Sequence, residues 1–143
     1  MYNKIQIMET KRCFKCKNEK PTNAFYKNRS FKDGLSGMCK ECSLQNERQN
    51  NQKCKEWLDD LKKSNPCSKC GDNRFYVIDI HHTDPTKKTM EVASYAISGT
   101  ASFETKKRKI LEELKSCIFL CSNCHREYHY LEKINKRAFS SAG

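Results

Sequence analysis

Hydrophobic positions along this chain fall into short clusters separated by polar runs. The longest regular pattern covers residues 44–63, polar through LQNERQNNQK and then apolar at Cys54, Trp57, Leu58 and Leu61, offsets of 0, 3, 4 and 7 that share one helical face. Ser64-Asn65-Pro66 stops that helix. Phe75-Tyr76-Val77-Ile78-Asp79-Ile80 is rich in β-branched and aromatic residues and predicts a strand that runs into His81-His82. Thr83-Asp84-Pro85-Thr86 is a turn by composition, and a helical stretch over residues 88–97 is broken at Ser98-Gly99-Thr100. A helix is predicted from Phe103 to Ser116, with Ser102 as its N-cap and Ile110, Leu111 and Leu114 on one face. Ile118-Phe119-Leu120 predicts a second strand, Ser122 to Arg137 a last helix, and the SSAG tail reads as disordered. Near the N-terminus Phe14, Phe25, Tyr26 and Phe31 are expected to form a miniature core, with Asp33-Gly34 marking a hairpin turn.

So little apolar periodicity makes a weak foundation for a 143-residue chain, in which the hydrophobic class is only 36%. Ten cysteines change the picture. Eight form four C-x2-C pairs: Cys13/Cys16, Cys39/Cys42, Cys67/Cys70 and Cys121/Cys124. Two residues between thiolates let a tight turn aim both sulfurs at one ion, and two such turns complete the tetrahedral shell that zinc prefers. Four pairs therefore predict two structural zinc ions. The first two pairs are 22 residues apart, close to the spacing of a zinc-ribbon or treble-clef module, whereas the last two are 50 apart, so something substantial is built between them. A redox C-x-x-C or a set of disulfides accounts less well for four repeated pairs. Cys54 and Cys117 read as packed thiols.

Charge adds a partner. Lys and Arg number 28 against 17 Asp and Glu, a formal +11 that favours polyanions, with nucleic acid first. Two four-thiolate zinc units lower this only to about +7. Residues 1–42 carry +6 and residues 67–143 carry +4. In the first module Lys15, Lys27, Arg29 and Lys32 interleave with the aromatics, a pattern suited to nucleic acid. The N-terminal MYNKIQIMET does not read as a secretory signal, and no run is long enough to span a bilayer, so an intracellular, reducing location is expected.

All four histidines lie in two clusters, His81-His82 at a strand end and His125/His129 four apart on a helix. The helical pair share one face and can share a divalent ion. Cys124 precedes His125, and Cys67 and Cys70 tie the first strand to the same zinc, which brings the two clusters together. Adjacent strand residues point to opposite sides, so one of His81 and His82 is expected to be a ligand and the other free to act as a base.

The series C-x2-C, strand, His-His-x-Asp-Pro, helix, then Leu-Cys-Ser-Asn-Cys-His-Arg-Glu-Tyr-His over residues 120–129 resembles HNH endonucleases of the ββα-metal (His-Me finger) superfamily, in the zinc-stabilised form common in phages. The resemblance covers residues 67 to about 133; a four-cysteine finger before the nuclease domain is similar to those that often precede it. It implies a small α+β chain with a finger module over residues 1–42, a linker helix over 43–66 and a nuclease domain over 67–143. It also implies metal-dependent hydrolysis of DNA in the cytoplasm, of a phage host if the chain is phage-encoded. His81 and His125 would ligate a catalytic Mg²⁺, Mn²⁺ or transition ion, His82 would be the general base, and His129 a further ligand or phosphate contact. Arg126 is a candidate phosphate clamp. The chain departs from the family where a middle Asn orients the base: Ser116 stands there, and Ser116, a backbone carbonyl or Asp79 is left to do so. Asp79, two residues before His81 on the same strand face, otherwise reads as an ordinary surface carboxylate. The alternative function is a non-catalytic zinc-finger protein that binds nucleic acid.

Overall fold

The computed structural model describes residues 9–140, with side chains as far as Arg137, as a small mixed α+β protein of short two-stranded sheets and helices. Residues 1–8 and 141–143, on which the leader reading and most of the SSAG reading fall, lie outside the described residues. The chain divides into two compact units, Met1–Gln49 and Asn50–Gly143.

In the first unit, β1 (Thr10–Arg12) and β2 (Glu19–Pro21) pair antiparallel on either side of the Cys13/Cys16 turn. β3 (Phe25–Lys27) then pairs antiparallel with β4 (Leu35–Cys39), joined through a turn at Gly34, whose φ of 69° suits glycine. Helix α1 (Lys40–Lys63) starts directly after Cys39, so its first turn carries Cys42. The interior is Cys13, Phe25, Cys39 and Cys42. Of the four aromatics expected there, only Phe25 is buried; Phe14, Tyr26 and Phe31 are 55%, 46% and 45% exposed. The sulfurs and one ring fill so small an interior, and Phe14 instead lies against Gly37, where an added Cβ would come within 2.7 Å of the ring.

The second unit repeats this order. The Cys67/Cys70 turn is followed by β5 (Ile78–His82), antiparallel to β6 (Cys117–Cys121), and then by α4 (Ser122–Ser140), with Cys124 in its first turn. Phe25 pairs with Cys39 in one hairpin and Ile78 with Cys121 in the other. The strand expected from Phe75 starts only at Ile78, because β6 ends its ladder at the Ile78–Cys121 pair; Phe75–Val77 forms a 3-10 turn. Where the first hairpin closes in a short turn, the second holds α2 (Val92–Ile97) and α3 (Phe103–Leu114) between its strands. Ser102 caps α3 by accepting from the Thr105 N–H at 3.3 Å.

Residues 43–66 are more than a linker. Cys54 and Leu58 of α1 are buried with Val92, Ala96 and Ile110 in the main apolar core of the second unit, and Trp57 and Leu61 pack against it. Leu111, expected on the buried face of α3, is 44% exposed; the buried positions are Lys106, Ile110 and Glu113. Among the described residues no helix is long and apolar enough to cross a membrane.

Candidate metal centres and histidine site

Each four-cysteine set closes into a cluster. The ligand atoms of Cys13, Cys16, Cys39 and Cys42 lie within 4.8 Å of one another, as do those of Cys67, Cys70, Cys121 and Cys124. The two turns share their hydrogen bonds: the Lys17 N–H donates to the Cys13 carbonyl and the Gly71 N–H to the Cys67 carbonyl, both at 2.8 Å. Residues 17 and 71 take positive φ, 63° and 76°, so both turns end in the left-handed region directly after their second cysteine. The Phe14 N–H reaches the Gly37 carbonyl at 3.0 Å and the Ser68 N–H the Phe119 carbonyl at 2.8 Å, pinning each turn two residues before its third cysteine. Cys70 and Cys121 sulfurs are 3.6 Å apart, the separation expected between ligands about 2.3 Å from a tetrahedral ion.

Crowded thiols need a cation to ionise together. Against the cost of burial, backbone N–H groups of Cys16, Cys39 and Lys15 bring Cys13 down to about 6. Hydrogen bonding with Cys39, reinforced by burial, pushes Cys42 up to about 12. Cys67 at about 6 and Cys124 at about 12 repeat the contrast, so the last thiol of each cluster resists ionisation beside its neighbours, an arrangement that a divalent ion would relieve. Both clusters fit zinc-binding modules. All ten cysteines are free thiols, Cys54 buried and Cys117 half-buried with its sulfur 3.3 Å from the Glu113 carbonyl.

The second unit brings all four histidines together. Strand β5 contains both His81 and His82, and its alternation sends them different ways. His81 meets His125 and His129 on α4, with ring centroids 4.9 Å away in each case, and the three donor atoms lie within 4.8 Å of one another. His81 is buried, and among the described residues its Nε2 has no hydrogen-bond partner. Burial, then the imidazoles of His125 and His129, hold His81 below the usual histidine range, which keeps its lone pair free near neutral pH. Nε2 of His129 is 3.1 Å from Nε2 of His125, whose Nδ1 is 3.1 Å from Asp79 Oδ2. A carboxylate only accepts, so it takes the Nδ1–H and leaves His125 Nε2 as the donor atom. A buried imidazole with an orphaned nitrogen, set beside two further imidazoles, fits a divalent cation better than it fits an empty polar interior.

His82 turns instead to Glu113 near the end of α3, with Nε2 2.7 Å from Oε1, and both groups are buried. Glu113 Oε1 also accepts from the backbone N–H of Thr89 at 2.8 Å and of Met90 at 3.3 Å, and the Thr89 hydroxyl donates to Oε2. Led by that hydroxyl, and against the cost of burial, these contacts hold the carboxyl down to about 2. None of the groups expected to orient His82 does so: the Ser116 hydroxyl donates to the Glu113 carbonyl at 3.0 Å, and Asp79 serves His125. The Ser116 carbonyl accepts from Thr83. Sequence reasoning missed Glu113, which lies in a run of charged residues. With Phe103, Lys106, Ile110 and Leu114 it falls on the apolar stripe of α3, where a charged residue must be paired.

His81, His82, His125 and His129 line one open cavity of about 270 Å³, together with Ile80, Pro85, Lys88 and Glu91. Arg126 is exposed on α4, one residue beyond His125. Lys15, Lys27, Arg29 and Lys32 are exposed in the first unit, Lys15 3.5 Å from Asn46 Oδ1. Comparison with protein-family models, with curated proteins and with solved structures gives no match.

Proposed function

We propose that this chain is a metal-dependent DNA endonuclease of the HNH type, its second unit a ββα-metal domain and its first a treble-clef finger that grips the nucleic acid. One observation carries the reading: the ligand nitrogens of His81, His125 and His129 come together, and His81, whose Nε2 has no hydrogen-bond partner among the described residues, is one of them, while His82, beside them in the same cavity, is held by a carboxylate. His81, His125 and His129 would hold the divalent ion, which when bound supplies Lewis-acid stabilisation of charge on the phosphate and leaving oxygen. Neutral His82 takes a proton from water; the oxygen bonds phosphorus, and the phosphorus–oxygen bond to the leaving sugar breaks with its electron pair on that oxygen, which then acquires a proton from solvent. Arg126 and Lys88 stand near enough in sequence and cavity wall to steady the phosphate, and a formal +11 favours DNA as the polyanion. Thiolate clusters of this kind persist in a reducing cytoplasm.

The test is plasmid cleavage by the full, zinc-loaded chain. Supercoiled DNA is expected to become nicked or linear on addition of Mg²⁺, Mn²⁺ or a transition ion, and to survive when only the two structural zincs are present. Plasmid left supercoiled by a folded, zinc-loaded protein under every ion would refute the reading.

A further inference from the structure

We propose that Glu113 is the positioning residue for His82: its carboxylate holds the Nε2–H of the ring and so presents Nδ1 as the proton acceptor. The same carboxylate ties down the segment that walls the cavity. The inference rests on the endonuclease reading and assigns, within it, which nitrogen does the work.

The argument starts from burial. Glu113 is the one buried carboxylate among the described residues, and a buried carboxylate persists only where donors surround it. Four do: the Thr89 N–H, the Thr89 hydroxyl, the Met90 N–H and His82 Nε2. The two backbone groups are obligate donors, so Glu113 is an acceptor throughout and Nε2 of His82 must carry the hydrogen. In a neutral ring the lone pair is then on Nδ1. The neighbouring pair has the opposite polarity: Asp79 takes Nδ1–H of His125 and frees Nε2. Two carboxylates thus set two imidazoles in opposite tautomers, one suited to bind a cation and one to accept a proton from water. When His82 is protonated, the carboxylate already at 2.7 Å stabilises the imidazolium without moving.

Thr89 and Met90 belong to the segment between β5 and α2 that contributes Pro85, Lys88 and Glu91 to the cavity. Within that segment, Asp84 closes a local turn through the Thr86 N–H and hydroxyl, and Lys88 pairs with Glu91. The bonds to Glu113 anchor it to α3, so His82 and this part of the cavity lining share one fixed point.

The experiment uses the full zinc-loaded chain with the variants Glu113→Ala and Glu113→Gln, alone and with His82→Ala. Glu113→Ala is expected to lower kcat about 10–100-fold, with KM for plasmid and the dependence on divalent ion within about twofold of the parent. Glu113→Gln keeps a carbonyl oxygen for Nε2–H and for both backbone donors, and is expected to recover most of that loss. In the His82→Ala background Glu113→Ala should cost nothing further, because the group it positions is gone. Ring ¹⁵N spectra should give the Nε2–H form of His82 in the parent and in Glu113→Gln, and a mixture in Glu113→Ala. A zinc-loaded Glu113→Ala protein with the parent's kcat, a full additional loss on top of His82→Ala, or an unchanged His82 tautomer overturns the inference. An inactive parent defeats the endonuclease reading instead, and the ring spectra then decide separately whether Glu113 sets His82.

Discussion

His82 and His125 are both held by carboxylates, yet by opposite ring nitrogens, and their substitutions should separate accordingly. His82→Ala is expected to slow cleavage by about 10²–10⁴, the usual contribution of a general base, while zinc content and DNA affinity stay at parent values. His125→Ala should instead raise the concentration of divalent ion needed for half-maximal rate and be partly rescued by excess metal. Titrating activity against metal distinguishes the two, and equal behaviour would mean that the roles have been divided wrongly. Lys106 makes a separate case. It is fully buried and among the described residues has no carboxylate partner, donating instead to Asn51 Oδ1 and to the carbonyls of Tyr95, Ala96 and Ser98 around the end of α2. Lys106→Met keeps the aliphatic stem but strands those carbonyls, and should cost about 1–3 kcal/mol, read from the denaturant midpoint. Neither Lys106 nor Glu113 stood out in Lys-Lys-Arg-Lys-Ile-Leu-Glu-Glu-Leu, since a run of charges usually faces water; only the path of α3 across the core makes those two positions internal.

Elements were legible where their own pattern suffices and illegible where a partner decides. The face of Cys54, Trp57, Leu58 and Leu61 predicts the second half of α1, and those residues do pack inward. Its first turn was not visible, because the helix starts directly after β4 and Cys42 falls in it through cysteine spacing and not through any apolar period. Phe75–Val77 has strand composition but no strand to pair with, and Phe14, Tyr26 and Phe31 have core composition but no interior to enter. Cysteine spacing, which reflects geometry directly, grouped both clusters correctly but hid that the two turn–hairpin–helix units match, since α2 and α3 separate the second pair of strands. If the clusters hold zinc, these elements should depend on it. Stripping metal should leave each hairpin and helix junction with four uncoordinated cysteines, and far-UV circular dichroism should fall as zinc is removed and return on its addition. Cys121→Ser should lose about one zinc and, because Cys121 joins β6 to α4, also lose the His81–His125 approach; Cys54→Ser should lose none.

At the scale of the molecule, the division between a unit without histidine and a unit with all four gives the last test. The first unit carries +6 in residues 1–42, so removing it should weaken DNA binding and flatten the fall of log K with log salt, as fewer counterions are released. Cleavage itself should remain. Where the cut is made matters more than the sequence suggests. Starting at Ser64, after the helix, keeps every cysteine and histidine of the second unit but discards Cys54 and Leu58 from its core and Asn51 from Lys106. Burying one leucine is worth about 2–5 kcal/mol by substitution to alanine, a large part of the stability of so small a unit. A fragment beginning at Asn50 should therefore fold, take up one structural zinc and cut DNA, while one beginning at Ser64 should unfold at much lower denaturant. Equal stability of the two fragments would mean that the second half of α1 is the dispensable linker its polar start suggests. A salt dependence in the Asn50 fragment as steep as that of the full chain would place the DNA contacts in the second unit alone.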